Sequence, residues 1–181
     1  MTVLRCSRKL LTRMRRPAVD PEPVHDNPLG PWYADIDFID RQPFVLVMNA
    51  ATSLTLVLPG RAASLRRLHE IAATQLMGML DLWQLRTPLG QAEFESWLDE
   101  PVLVRNTDRS LVASMNQRKY EAWTQFAYNP LSPFEVALRI TDTPFRRKDL
   151  GKEAHWPLDL LRARLSPPAV VLPFPRRAAS D

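Results

Sequence analysis

Cysteine, glycine and long apolar runs are all scarce in this 181-residue chain. The single cysteine, Cys6, excludes an intramolecular disulfide and offers no thiolate cluster for zinc. It is expected to be a small, half-buried strand residue rather than a nucleophile. The five glycines form neither a Walker loop nor a Gly-rich dinucleotide turn, and HExxH and G-x-S-x-G are both missing. His25, His69 and His155 lie far apart in unrelated contexts. No catalytic residue can be named on this basis, no cofactor and no metal are expected, and the question of enzyme or non-enzyme stays open. No apolar run approaches the ~20 residues that span a bilayer, so no membrane partner is expected. The N-terminus lacks the continuous apolar stretch of a secretory signal. A transit peptide would share its Arg-rich, acid-poor composition, but residues 2–6 alternate like a strand of the mature fold. The expected location is the cytoplasm.

Acid is missing from one place in particular. The first sixteen residues, MTVLRCSRKLLTRMRR, hold Arg5, Arg8, Lys9, Arg13, Arg15 and Arg16 and no carboxylate. Those six charges exceed the net +4 of the whole chain, so the remainder is net acidic. Concentrated positive charge suits phosphate or an acidic partner, whereas scattered charge mostly serves solubility.

What is abundant is proline, at seventeen, and it punctuates the chain. Alternation predicts strands at 2–6 and 32–39, a nearly continuous apolar run predicts a central strand at 44–48, and further strands are expected at 54–58 and 102–105. The short links between 32 and 58 predict an antiparallel meander. Helices are expected at 7–14, with Ser7 as N-cap, and at 62–84, 91–98, 109–126, 133–140 and 157–165. In the fourth of these, Val112, Met115, Lys119, Trp123 and Phe126 are expected to trace the inward face. Ser132-Pro133-Phe134-Glu135 is a capping box with proline at N1. Residues 17–31 read as an irregular crossing and Arg146–Lys148 as a basic loop. The fold class is α+β: a small, mainly antiparallel sheet with helices packed largely on one face. A single domain is expected over residues 1–165, followed by a proline-rich C-terminal tail at 166–181.

Three further groups could carry chemistry. Asp35 and Asp37 lie two apart on a strand, with Asp40 nearby, so the first two share a side that could hold a divalent cation. The alternatives are a solvated sheet face, or a dock for the basic arm. The segment 105–116 gathers Arg105, Asn106, Thr107, Asp108, Arg109, Ser110, Ser114 and Asn116 at a helix start, where free N–H groups suit an anion. Capping alone also explains Asn106, Thr107 and Asp108. The basic arm itself carries no helix-turn-helix, RNP motif or zinc module.

The segments LRCSRKLL, PLGPWYADIDFIDRQPFVLVMNAATSLTLVLP, VRNTDRSLVASMNQRKY and LSPFEVALRITDTPF together cover much of residues 3–145. In their order and spacing the chain resembles a family of small uncharacterised bacterial domains, catalogued as a domain of unknown function. The resemblance implies a bacterial, cytoplasmic, single-domain protein and carries no activity. It departs at Gln117-Arg118-Lys119, where a more acidic or apolar continuation is expected. The leading functional expectation is a non-enzymatic binding or regulatory protein for an anionic partner, either nucleic acid or an acidic protein. Nucleic acid is favoured, and Arg5, Arg8, Lys9, Arg13, Arg15, Arg16, Arg105 and Arg109 would make the contacts. Alternatives are a protein-interaction module serving a mobile element or defence system, and a metal-dependent nuclease using Asp35 and Asp37. Oligomeric state is not legible.

Overall fold

The computed structural model describes residues 1–147 and 150–166. Lys148 of the expected basic loop, and residues 167–181 of the expected tail, lie outside the described residues. The α+β class holds, with one five-stranded sheet ordered β4-β3-β2-β1-β5. The strands are β1 (Val3–Cys6), β2 (Trp32–Ile39), β3 (Gln42–Asn49), β4 (Thr55–Pro59) and β5 (Val102–Arg105). Antiparallel pairing dominates: β2 and β3 align over eight residue pairs and β3 and β4 over five. The sheet is nonetheless mixed, because β1 joins parallel to both β2 and β5. The basic N-terminal segment is therefore an internal strand followed by a helix, not a free arm. The expected central strand, β3, is interior to the sheet, paired with β2 on one side and β4 on the other.

Helix α1 (Arg8–Met14) starts at Ser7, whose hydroxyl accepts from the Leu10 amide. It ends in a Schellman reversal: Arg16 N donates to Leu11 O, Arg15 N donates to Thr12 O, and Arg15 takes the left-handed conformation at φ 56°. The expected helix at 62–84 is interrupted at Arg66 and Arg67. A single turn, α2 (Ala62–Leu65), packs beside α1, and α3 (Leu68–Leu82) packs against β4. Gln75 of α3 completes the outer edge of β4. Its Oε1 accepts from Val57 N at 2.8 Å and its Nε2 donates to Val57 O at 2.9 Å, replacing a missing strand.

Helix α4 (Pro88–Glu95) begins three residues earlier than expected. Proline at N1 starts it rather than breaking it, and Thr87 caps it. Gly90 inside α4 is needed for closeness: a Cβ there would stand 2.1 Å from the Leu85 carbonyl oxygen. Helices α5 (Arg109–Tyr128), α6 (Pro133–Thr141, with its capping box formed) and α7 (Pro157–Leu165) complete the chain.

The inward stripe of α5 differs from expectation. Leu111, Met115, Arg118 and Ala122 are buried, while Val112 and Trp123 are exposed. Arg118 holds its place in that stripe because its guanidinium donates to the Ile140 and Thr143 carbonyls, both at 3.1 Å. It thereby adds a donor to the Ile140 carbonyl and supplies one to the Thr143 carbonyl just past the end of α6. The departure at Gln117-Arg118-Lys119 is thus a pair of packing residues, Arg118 and Lys119, each tied to another element.

The two sides of β2 are covered differently. Lys119 of α5 reaches Asp35 and Asp37, and Phe126 of α5 stands 5.6 Å from Phe44, the register partner of Asp37. On the other side Trp32 meets Trp97 edge-to-face at 5.4 Å, and Lys9 and Arg13 of α1 lie over Phe38.

Candidate functional site

Each charged candidate can now be placed. Arg5, on β1, points to the Tyr33 side. Its Nε and Nη2 donate to Glu22 at 2.9 and 2.7 Å, and its Nη1 donates to the Tyr33 hydroxyl. Burial draws its pKa down, but the bonds to Glu22 and Tyr33 outweigh burial and leave it raised. Arg5 is consequently a clasp that holds the proline-rich crossing against β1. Lys9 sits 3.8 Å from Asp37 and 4.9 Å from the Phe38 ring centroid. Arg16 pairs with Glu100 at 2.9 Å. Arg8, Arg15, Arg105 and Arg109 are exposed with no carboxylate partner among the described residues, and Arg13 has only the Phe38 ring, at 5.5 Å.

Asp35 and Asp37 share one side, as their spacing requires, but both are occupied. Lys119 Nζ stands 2.6 Å from Asp35 and 3.6 Å from Asp37, and the Ser7 hydroxyl donates to Asp35. A divalent ion there would have to displace the Lys119 ammonium. Among the described residues no group of three metal-ligating side chains is gathered. Asp40, at φ 44°, serves the β2–β3 turn. Of the histidines, His155 hydrogen-bonds the Leu150 carbonyl.

The start of α5 is capped by its own chain. Asp108 accepts from the Ser110 and Leu111 amides, and Asn106 accepts from Asp108 N. A carboxylate therefore already occupies the place an anion would take. Arg105 and Arg109 also part company here. Arg105 is the register partner of Cys6 and leaves the sheet on the Ala34–Phe38 side, which is the side of α1. Arg109 belongs to α5, which covers the opposite side. The Cys6 thiol is fully buried rather than half-buried, and burial pushes its pKa up to about 12, against the pull of nearby Arg16. It is inert as a nucleophile at neutral pH.

What the fold does assemble is a groove of about 1070 Å³ between the end of α1 and α2. Thr12, Arg13, Met14, Arg15, Arg16, Ala62, Leu65, Arg66 and Glu100 line it. Arg13 comes from the last turn of α1, and Arg15 and Arg16 from the Schellman reversal that ends it. Arg66 enters from the break between α2 and α3. Sequence reasoning missed Arg66. The signal was Arg61-Ala-Ala-Ser-Leu-Arg66-Arg67, a second basic run that a continuous helix pattern concealed. One carboxylate, Glu100, stands among four guanidinium groups, and it is already bound to Arg16.

The model of the family described as Domain of unknown function (DUF6933) matches residues 3–160. The chain belongs to this family. The match spans every strand of the sheet and the groove, so the geometry above belongs to the DUF6933 domain itself. No curated protein and no solved structure matches the chain. No helix among the described residues is long and apolar enough to cross a membrane.

Proposed function

We propose that this DUF6933 domain is a non-enzymatic binding protein for an anionic partner, with nucleic acid favoured, and that the α1–α2 groove is where it binds. The observation that carries the reading is the excess of guanidinium over carboxylate around one concavity: Arg13, Arg15, Arg16 and Arg66 against Glu100. Guanidinium groups are suited to phosphate because they offer paired donors in a plane and keep their charge. Arg105 leaves the sheet on the same side, outside the groove lining. A bacterial cytoplasm is the proposed setting, and a lone buried thiol suits its reducing conditions.

The test is a filter-binding titration of the full chain with an oligonucleotide across salt concentrations. Displacing ions from three or four phosphates predicts a log–log slope of roughly −2 to −3. No retention at low salt, or retention indifferent to salt, sinks the reading.

A second reading, a protein-interaction module, is favoured by one observation. Helix α5 exposes Val112, Tyr120, Trp123 and Tyr128, large apolar side chains that solvent-facing helices seldom collect. Under it, a partner complex survives charge reversal of the groove arginines.

A further inference from the structure

The groove is not uniformly charged. Between its arginines lie Met14, Ala62 and Leu65, and Met14 and Leu65 belong to the packing of the core. Its volume of about 1070 Å³ stands at the top of the range for small-ligand sites, roughly 300–1,000 Å³. A bare phosphate would leave most of that space, and all of the apolar surface, uncovered. A duplex presents phosphates on a convex cylinder with its bases turned inward. It would touch the arginine rim and leave the floor between α1 and α2 wet.

An unpaired nucleotide has both parts that the groove asks for. Its phosphate meets the guanidinium groups, and its flat base can lie on Met14, Ala62 and Leu65. We infer that the groove receives an unpaired nucleoside phosphate unit, with Arg13, Arg15 and Arg66 holding phosphate and the Met14–Ala62–Leu65 floor holding the base. This rests on the anion-binding reading above and narrows it to one ligand chemistry. Such a unit could come from a single strand or from a free nucleotide. Glu100 has a part in this as well. As the lone carboxylate in the lining, it holds Arg16 in an internal pair and opposes an incoming phosphate.

The experiment is fluorescence anisotropy on the full chain with four probes. They are a labelled single strand, the same sequence as duplex, an abasic strand of equal length and charge, and an unlabelled nucleoside triphosphate as competitor. The single strand should bind about tenfold tighter than the duplex or the abasic strand, because a base that covers roughly 60 Å² of apolar floor contributes on that scale. Arg66→Glu should weaken strand binding at least tenfold. Arg8→Glu, an equal change of charge outside the groove lining, should weaken it no more than about threefold. Glu100→Gln should tighten it severalfold by releasing Arg16. Competition by the triphosphate below millimolar concentration identifies a free nucleotide as the source. Failure to compete, with strand preference intact, identifies a strand.

Equal affinity for single strand, duplex and abasic strand overturns the inference while leaving anion binding standing. So does equal loss in Arg66→Glu and Arg8→Glu. No binding of any probe at low salt overturns the anion-binding reading itself. Circular dichroism of the three variants, all at exposed positions, shows that each is folded before its binding is read.

Discussion

On the side of the sheet covered by α5, Asp35 and Asp37 share the Lys119 ammonium, and Ser7 adds a hydroxyl. On the side covered by α1, Arg13, Arg15 and Arg66 line an open groove with no carboxylate partner among the described residues. Both regions were conspicuous in the sequence for charge, and their fates are opposite. The Asp35 and Lys119 side chains are only 17% and 14% exposed, so taking them out of water had to be balanced by pairing. Arg13, Arg15 and Arg66 stay exposed to water and need no carboxylate partner. A cluster of like charge becomes a candidate site only where the fold leaves it unmatched.

The sharpest way to break this contrast is Lys119→Met. Asp37 keeps Lys9 at 3.8 Å, so the loss falls on the partly buried Asp35 and should cost about 2 kcal/mol in urea unfolding, below the roughly 3–5 kcal/mol scale of a fully buried pair. Most of that should return in the double variant with Asp35→Asn. A loss below about 0.5 kcal/mol would place the pair with ordinary surface ion pairs and dissolve the distinction.

A second internally matched group sharpens it. The Glu93 carboxylate is fully buried and accepts from Leu29 N at 2.7 Å, Trp32 Nε1 at 2.9 Å and Asn27 Nδ2 at 3.0 Å. Glu93→Ala leaves those donors unanswered and should cost about 2 kcal/mol. Burial raises the Glu93 pKa above its ordinary 4.5, against the pull of its donors. The folded state therefore binds this proton more tightly than the unfolded state. The stability linked to that proton is full below pH 4.5 and is lost as pH rises through the raised value. Unfolding free energies of wild type and Glu93→Ala across this range should converge as pH increases; a widening gap would refute the assignment.

The smallest effect is the most telling for the groove. Arg15 adopts φ 56° at a position where glycine is at ease. Relief of that backbone cost, about 1 kcal/mol, outweighs the extra freedom glycine brings to the unfolded chain. Arg15→Gly should thus leave stability unchanged or raise it by up to about 0.5 kcal/mol, while weakening oligonucleotide binding about threefold. A clear loss of stability would mean that Arg15 serves the fold, and the groove would lose its claim to spare charge.

Much of this architecture was legible because short-range rules governed it. The five strands, the Ser7 cap and the Ser132–Glu135 capping box follow from alternation and from hydrogen bonds spanning a few residues. The start of α4 was expected three residues too late because proline ends a helix in its interior but starts one at N1, and the difference lies in the Thr87 cap. The α5 stripe misled because Arg118 is a charged residue at a core position, justified by carbonyls at and just past the end of α6. Arg66 was hidden because a periodic pattern cannot show where a helix changes direction. The expected pairing of Arg105 with Arg109 failed to assemble because one side chain leaves β5 toward α1 while the other rides on α5.

By itself the amino-acid order determined the elements of this domain, its class and the surplus of positive charge near its beginning, since each depends on neighbours along the chain. Only tertiary structure decided which charges were consumed and which were left over. The packing of α5 against β2 set Asp35 beside Lys119, and the packing of α1 against α2 set Arg66 beside Arg13 and Arg15. Those partners are dozens of residues apart, and electrostatic matching depends on distance through space, which local sequence does not encode.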